Sequence, residues 1–265
     1  MIVIGELINT SRDEVEPAVK ERDVEFIQDL AQKQEEAGAD YIDVNCGTLL
    51  EDEPAAMEWL VNTVQEVVDV PLCIDSPNPK ALRRGLEAHD GQALVNSITA
   101  EEERFNETLQ ILKEFEARVI ALVMDDGGMP QGTEDRVRVG VKLVERLTEA
   151  GLDIEDIFVD PIIQPIGTDQ QVGNQILAAI DEISQSCEGV HITCGLSNIS
   201  HGMPKRKMIN RTFLVLAMGR GLDSAIIDPL DERIMALLKT ARTLLGEDAH
   251  CSEFIKAAQG GELDL

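Results

Sequence analysis

The sequence predicts an α/β protein with a single (β/α)8 TIM barrel that spans residues 1–265. Three observations predict it. Short runs rich in Val, Ile and Leu recur along the chain, and most are followed by a longer stretch with helical spacing. Such alternation is typical of buried parallel strands that each lead into a crossover helix. The length of 265 residues also fits a barrel of this kind, which has about 250.

Eight apolar runs predict the strands, and each run ends at a polar residue. These terminal residues are Glu6, Asn45, Asp75, Asn96, Asp125, Asp160, Asn198 and Asp228. The carboxyl ends of all strands meet at one rim of such a barrel, and active sites are built at that rim. The eight side chains are therefore the first candidates for a functional site.

The stretches between the runs predict eight helices. Pro54 and Pro79 stand near helix starts, where a missing backbone N–H costs nothing, and Gly38, Gly151 and Gly246 follow helix ends. The predicted helices span residues 24–37, 54–68, 79–88, 101–115, 134–150, 169–186, 205–219 and 231–245.

No Ser/Gly-rich linker or shift in composition marks a second domain. The tail, residues 260–265, is expected to fray. Eight such units can also form an open doubly wound sheet. The near-even spacing of the units and the lack of a dinucleotide-binding fingerprint favour the barrel.

The formal charge of −27 argues against nucleic acid or an anionic membrane as partner, because both favour Lys and Arg. An acidic surface that keeps the chain soluble explains this charge, and a basic protein partner is the alternative. The five cysteines are odd in number and form no CxxC pair, so a reduced protein is expected, without a disulfide framework or a zinc site.

A cytoplasmic protein is also expected. The N-terminus has no basic region before its apolar residues, which Glu6 interrupts, so it does not resemble a secretory signal. No apolar run approaches the roughly 20 residues that span a bilayer.

Two carboxylates and two amides stand out at the predicted rim. Asp75 and Asp160 each come just before a segment that stops the strand, and Asn96 and Asn198 end two further strands. An ionised carboxylate accepts two parallel hydrogen bonds from adjacent donors, and an amide donates and accepts at once. A polar ligand is therefore expected. The alternative for any one of these residues is a cap of the following helix or turn.

Other chemistries fit the sequence poorly. The four histidines form no HxH or HExxH spacing, and only His201 follows a predicted strand end closely. No metal site is therefore predicted. There is no GxSxG motif, and the strand ends carry acids where a phosphate site would need Lys, Arg or a glycine-rich loop.

The residues of the rim carry a resemblance to a known family. The segments are IGELIN (4–9), YIDVNCG (41–47), AMEWLV (56–61), LCIDSPN (72–78), VNSIT (95–99), VDPIIQP (159–165), GLSNIS (195–200) and INRTFL (209–214). They resemble the pterin-binding methyltransferases: the methyltetrahydrofolate:corrinoid/iron-sulfur protein methyltransferases and the folate-side components of corrinoid O-demethylase and amine-demethylase systems. The folate domain of cobalamin-dependent methionine synthase and dihydropteroate synthase are more distantly similar.

The resemblance implies a role for each matching residue. Asp75, Asn96 and Asp160 would hydrogen-bond the pterin, and Asn198 would be the catalytic residue that reaches its N5 nitrogen. Asn45, Gly195, Arg206 and His201 would line the same site. The chain departs from the family at His201, where relatives carry Gln, and at Asp125-Asp126, a more acidic pair; the roles of His201 and Asp125 stay open.

The resemblance further implies a methyltransferase (EC 2.1.1 class) of one-carbon metabolism, with residues 1–265 as one pterin-binding domain. It would move a methyl group between N5 of tetrahydrofolate and the cobalt of a corrinoid. Both directions stay open: methyltetrahydrofolate to Co(I), or methyl-Co(III) to tetrahydrofolate, as in O-demethylation and anaerobic metabolism.

The corrinoid is expected on a separate protein, because the chain has no DxHxxG cobalamin-binding signature and no cysteine set for an iron–sulfur cluster. Folate is then a substrate, no metal is bound, and a homodimer is a family expectation. Two alternatives are a dihydropteroate synthase-like pterin enzyme and a non-catalytic folate-binding subunit.

Overall fold

The structure of the protein is a computed structural model, which describes residues 1–263. Eight parallel strands lie within this part of the chain. They are β1 (Ile2–Asn9), β2 (Tyr41–Asn45), β3 (Leu72–Asp75), β4 (Leu94–Thr99), β5 (Arg118–Leu122), β6 (Ile157–Asp160), β7 (His191–Ile192) and β8 (Ser224–Ile227).

Ten α-helices accompany the strands in the described residues. They are α1 (Val15–Glu21), α2 (Val24–Glu36), α3 (Glu53–Gln65), α4 (Pro79–Ala88), α5 (Glu102–Phe115), α6 (Gly132–Glu149), α7 (Val172–Ser186), α8 (Arg206–Met218), α9 (Glu232–Leu244) and α10 (Ser252–Gln259). The eight predicted helices correspond to α2–α9, and their ends shift by three residues at most.

The short helices α1 and α10 were not predicted. Each is only about two turns long, which is too short for an apolar period to be recognised, and α10 buries only Ala257. Of the tail that was expected to fray, residues 264–265 lie outside the described residues, so that expectation stays a prediction. So does the assignment of residues 1–265 to one domain.

The strands pair in the order β7-β6-β5-β4-β3-β2-β1-β8, all in parallel. β7 and β8 then meet, because the Ile226 N–H donates to the Cys194 carbonyl at 2.9 Å and the Asp223 N–H donates to the Ile192 carbonyl at 3.3 Å. The predicted barrel is confirmed, and the open doubly wound sheet is wrong.

The inward-facing side chains of the strands form two layers. The lower layer is an apolar cluster of Ile4, Tyr41, Cys73, Leu94, Ile120 and Phe158. Two residues further along each strand, the upper layer consists of Glu6, Asp43, Asp75, Asn96, Leu122 and Asp160. Side chains alternate between the two faces of a strand, so residues i and i+2 share a face. The apolar layer is therefore the floor beneath a polar layer.

A larger apolar core lies between the strands and the surrounding helices. Three helices begin with a side-chain cap: Asp23 accepts from the Phe26 N–H, Asn78 from the Lys80 N–H and Asp231 from the Ile234 N–H. Across residues 1–263, no helix is both long and apolar enough to cross a membrane.

Candidate active site

A cavity of about 460 Å³ opens at the carboxyl ends of the strands. The upper layer of inward-facing side chains forms its base and walls. The remaining lining residues come from β1, β4, β8 and the segments that follow β1 and β7: Asn9, Ser11, Arg12, Ser97, Gly195, Ser197, Asn198 and Ile226. Four carboxyl groups and one guanidinium thus share a small space, which suits a ligand rich in hydrogen-bond donors.

Asp75 lies between two amides. The strand register places it directly beside Asn45 of β2 and Asn96 of β4. The Asn45 Nδ2 donates to Asp75 Oδ2 at 2.8 Å, which orients the carboxyl. Burial raises the pKa of Asp75 to about 6, and the nearby Glu53 adds to this, while the Asn45 hydrogen bond opposes it.

Asp160 ends β6 and is only 8% exposed. The Ile162 N–H donates to its Oδ1 at 2.8 Å, and the backbone N–H of Gly195 also favours its ionised form. Burial nevertheless raises the pKa of Asp160 to about 6, because those two donors and the Arg136 guanidinium only partly offset the lost hydration.

Asp43 is the deepest carboxyl of the cavity, at 2% exposure. Its Oδ1 has no hydrogen-bond partner among the described residues, although buried polar atoms are nearly always paired. Burial and the neighbouring Asp75 raise the pKa of Asp43 well above its usual range. The carboxyl therefore has a disfavoured ionised form and an oxygen paired with no protein group, which suits a ligand contact.

Glu6 lines the cavity from β1, the strand next to the one that carries Asp43. Burial raises its pKa to about 7, and the positive charges of Arg12 and Arg206 oppose that effect while Asp228 reinforces it. Glu6 and Arg12 line both this cavity and a neighbouring one of about 360 Å³. The two cavities therefore meet at this pair.

Asn198 lies at the mouth of the cavity. It belongs to a single 3-10 turn, Leu196–Ser200, after the two-residue strand β7, and it is exposed. A Cβ atom at Gly195 would lie 3.0 Å from Asn198 Nδ2, so a larger residue there would displace the amide. Gly195 thereby allows the Asn198 side chain to approach the cavity closely.

The structure brings five of the eight predicted site residues to the cavity or its wall. Asp75, Asn96, Asp160, Gly195 and Asn198 line it.

The other three predicted residues lie elsewhere. Asn45 contacts Asp75 from the side, and Arg206 lines the neighbouring cavity, where its guanidinium donates to the Ser197 carbonyl at 2.8 Å. His201 is exposed and lines neither cavity.

Four predicted strand ends also differ by three residues or more. Asn96 lies inside β4, which continues to Thr99, and Asn198 lies six residues beyond the end of β7. Asp125 lies three residues beyond β5 and pairs with Arg138 at 3.2 Å, and Glu6 lies inside β1 because that strand continues to Asn9.

Sequence reasoning missed Asp43, Arg12, Ser97 and Ser197 as lining residues. The signal for Asp43 was present, since it lies two residues before Asn45 on the same strand and must share its face. Arg12 and Ser197 come from loops, whose path the apolar pattern does not determine.

Comparison with known proteins shows the family of the chain. The family described as pterin binding enzyme matches residues 5–228. Methylcorrinoid:tetrahydrofolate methyltransferase of Eubacterium limosum is 36% identical over 265 residues, with 99% of this chain and 98% of that protein covered. Methionine synthase of Mycobacterium leprae (strain TN) is 31% identical over 240 residues, which are 86% of this chain and 20% of that protein.

Solved structures share the fold. Dihydropteroate synthase of Xanthomonas albilineans, in complex with indole-2-carboxylic acid and 6-chloroguanine, has a TM-score of 0.71 at 20% identity, with 94% and 93% of the two chains covered. Dihydropteroate synthase of Yersinia pestis has a TM-score of 0.68 at 20% identity, with 91% of this chain and 93% of that chain covered. At this identity, the likeness concerns the barrel alone.

The chain belongs to the pterin-binding enzyme family. The prediction of a methyltransferase is confirmed by the relative that matches it from end to end. The dihydropteroate synthases support only the barrel.

Proposed function

We propose that this protein transfers a methyl group between the N5 nitrogen of tetrahydrofolate and the cobalt of a corrinoid carried on a separate protein. The observation that carries the proposal is the acidic, amide-lined cavity at the carboxyl end of the barrel. The likeness to a methylcorrinoid:tetrahydrofolate methyltransferase over the whole chain supports the same reaction.

The cavity suits the pterin ring of folate. The pyrimidine edge of a pterin presents a ring N–H beside an exocyclic amine, and an ionised carboxylate accepts both. Asp75 and Asp160 are the two carboxyls whose ionised forms are supported by protein donors. Asn96 lies directly beside Asp75 and suits the mixed carbonyl and nitrogen positions of the ring. Asp43, whose Oδ1 has no partner among the described residues, offers a further polar contact at the base of the polar layer.

The cavity also has a gradient of exposure that suits the reaction. Asp43 and Asp160 are buried at its base, whereas Asn198 is exposed at its mouth. A pterin anchored by the deep carboxyls would place its N5 end toward Asn198 and toward solvent. A corrinoid bound to another protein must approach from that side, so the exposed mouth supports a separate corrinoid carrier.

The chemistry at N5 requires stabilisation of changing charge. In the direction from folate, the electron pair of Co(I) forms the cobalt–carbon bond, the N5–methyl bond breaks, and its electron pair stays on N5, which takes a proton. In the other direction, the lone pair of N5 attacks the methyl group of methyl-Co(III), the cobalt–carbon bond breaks with its electron pair left on cobalt as Co(I), and N5 releases its proton. A fixed donor at the reacting atom typically contributes about 10²–10³ in rate, and Asn198 is the residue assigned this role. No covalent enzyme intermediate is needed.

We propose that the physiological direction is from the methylcorrinoid to tetrahydrofolate, because the relative matched over its full length is named for that direction. The upstream methyl donor would be a methoxylated compound or a methylated amine, as in O-demethylation and related anaerobic metabolism. A cytoplasmic homodimer completes the proposal.

The proposed reaction is tested by mixing the purified protein with methylcobalamin and tetrahydrofolate and following the loss of the methylcobalamin spectrum. We expect transfer that depends on the protein and is faster with the corrinoid protein than with free cobalamin. An Asp75→Ala variant that remains folded serves as the control. Tight folate binding without any transfer would contradict the proposal and favour the non-catalytic folate-binding subunit.

A further inference from the structure

Helix α6 contains a buried arginine that makes no contact with a carboxylate within the described residues. Arg136 is 0% exposed. Its guanidinium donates to the carbonyls of Pro161 at 2.9 Å and Gly132 at 2.7 Å, and to Gln164 Oε1 at 2.7 Å, with a longer bond of 3.4 Å to the Ile162 carbonyl. Burial of a guanidinium is costly unless its donors are satisfied. Three of its four acceptors lie in the loop that follows β6.

The loop after β6 holds an unfavourable backbone conformation. Ile162 has a φ of 61°, in the left-handed region that a β-branched residue rarely adopts. Such a conformation is destabilising and persists only where its surroundings impose it. Two peptide carbonyls flank the Cα atom of Ile162, that of Pro161 and its own. Both accept hydrogen bonds from Arg136.

This conformation has a direct consequence at the cavity. It directs the Ile162 N–H to Asp160 Oδ1 at 2.8 Å, and Asp160 lines the cavity. A continuous series of contacts therefore connects α6 to the cavity. The Arg136 guanidinium donates to the loop carbonyls, which hold Ile162 in its left-handed conformation, and the Ile162 N–H donates to the Asp160 carboxyl. Arg138, two residues further along α6, points to the surface, where its side chain is 55% exposed and pairs with Asp125 and Asp135.

We propose that Arg136 is a positioning residue for substrate binding: it fixes the Pro161–Gln164 loop so that the Ile162 N–H holds Asp160 in the orientation that accepts the pterin. This inference rests on the proposed binding of folate at the cavity. Arg136 itself touches no substrate, and its effect is exerted through the orientation of Asp160.

The test compares the native protein with Arg136→Met, and with Arg138→Met as the matched control on the same helix. Affinity for methyltetrahydrofolate is measured by calorimetry, and the single-turnover rate of methyl transfer to Co(I) cobalamin is measured at saturating folate. We expect Arg136→Met to lose at least about tenfold in affinity, which corresponds to one charge-assisted hydrogen bond. Its rate at saturation should fall by less than about threefold, because Asp160 acts in binding. Arg138→Met should change neither quantity.

A second variant separates positioning from general loss of packing. Glycine adopts a positive φ without steric cost, so Ile162→Gly should partly restore the loop when the guanidinium is absent. We expect Arg136→Met/Ile162→Gly to bind folate at least about threefold more tightly than Arg136→Met, as the removal of that backbone strain implies. A double variant that binds no better than the single variant would overturn the proposal.

Failure of this inference is distinguishable from failure of the proposed function. If the native protein does not bind methyltetrahydrofolate, the proposed function is wrong. If the native protein binds it and a folded Arg136→Met variant binds it equally well, only the role of Arg136 is wrong. If Arg136→Met does not fold, Arg136→Lys takes its place: it keeps the charge but loses the planar fork, and native affinity in that variant would likewise overturn the proposal.

Discussion

Asn45 and Asp75 lie side by side on neighbouring strands, and the Asn45 amide donates to one oxygen of the Asp75 carboxyl at 2.8 Å. That bond leaves the other oxygen of Asp75 available to the cavity, and it favours the ionised form of a carboxyl whose pKa burial raises to about 6. The sequence resemblance placed Asn45 at the substrate. In the structure, Asn45 does not line the cavity, and its amide orients the Asp75 carboxyl, which does.

Replacement of Asn45 tests this orientation. In Asn45→Ala, the pKa of Asp75 should rise further, because the hydrogen bond that opposes the effect of burial is lost. The pH at which folate affinity falls to half should therefore move upward, as measured by calorimetry over a pH series. Asn106→Ala, which removes an exposed amide on α5, is the matched control. An unchanged pH profile in Asn45→Ala would contradict the assigned role.

Asp75 should act in binding more than in chemistry. Asp75→Asn keeps the size of the side chain but loses the charge, and it cannot accept two hydrogen bonds from adjacent N–H groups with a carboxylate's strength. A charge-assisted hydrogen bond contributes about 1.5–3 kcal/mol, so affinity for methyltetrahydrofolate should fall at least about tenfold. Calorimetry on Asp75→Asn, with the exposed Asp29→Asn on α2 as control, measures this. Native affinity in a folded Asp75→Asn variant would remove Asp75 from the site.

Folate affinity should depend on pH through two buried carboxyls. The pKa values of Asp75 and Asp160 are both raised to about 6, and only the ionised forms accept the pterin donors. Affinity should therefore be complete above pH 7 and should fall as the pH decreases through about 6. Titration of methyltetrahydrofolate binding between pH 5 and 8 measures it. An affinity that is constant across this range would show that neither carboxyl binds the pterin in its ionised form.

The same carboxyls should make the ligand-free protein less stable at high pH. The folded-state pKa values of Glu6, Asp75 and Asp160 lie above their usual values of about 4. Their contribution to stability is thus complete below pH 4 and is lost as the pH rises through 6 to 7. A rise of about two pKa units corresponds to about 3 kcal/mol of unfolding free energy per group.

Thermal melts of native protein and Asp75→Asn at pH 5 and pH 8 measure this effect. The melting temperature of the native protein should be lower at pH 8 than at pH 5. The decrease should be smaller for Asp75→Asn, because its neutral side chain is not deprotonated in the core. Equal pH dependence in the two proteins would mean that Asp75 is not buried in the way described here.

Much of the barrel was predictable because its signal is local. Apolar runs ending in polar residues mark strands, and glycine and proline mark helix ends, so α2–α9 were found within three residues. The register of parallel strands then aligned Asn45, Asp75 and Asn96, which no pattern within one strand contains. The position of Asn198 depends on the 3-10 segment after the very short β7. The apolar pattern placed Asn198 at a strand end, and the family resemblance supplied its expected role.

The part of the site that could not be predicted depends on packing between distant segments. Arg136 and Arg138 lie two residues apart on one amphipathic helix and look alike in the sequence. One is wholly buried and the other is exposed, because the first faces the loop after β6 and the second faces solvent. A sequence pattern treats both as surface residues, and only the assembled barrel separates them.

In the proposed mechanism, the deep carboxyls bind the pterin while Asn198 acts on the N5 nitrogen. A contact that strengthens in the transition state lowers the rate when it is removed and affects ground-state binding less. Asn198→Ala should therefore behave differently from Asp75→Asn. The alternative is that Asn198 only stabilises its own turn, in which case the variant would melt at a lower temperature and keep its rate.

The most direct measurement is single-turnover methyl transfer from methyltetrahydrofolate to Co(I) cobalamin by Asn198→Ala, with folate affinity and a thermal melt measured on the same sample. The exposed Asn174→Ala at the start of α7 is the control. We expect the rate to fall by about 10²–10³, with a smaller loss of folate affinity. A near-native transfer rate together with a lowered melting temperature would contradict the account and leave Asn198 with a structural role.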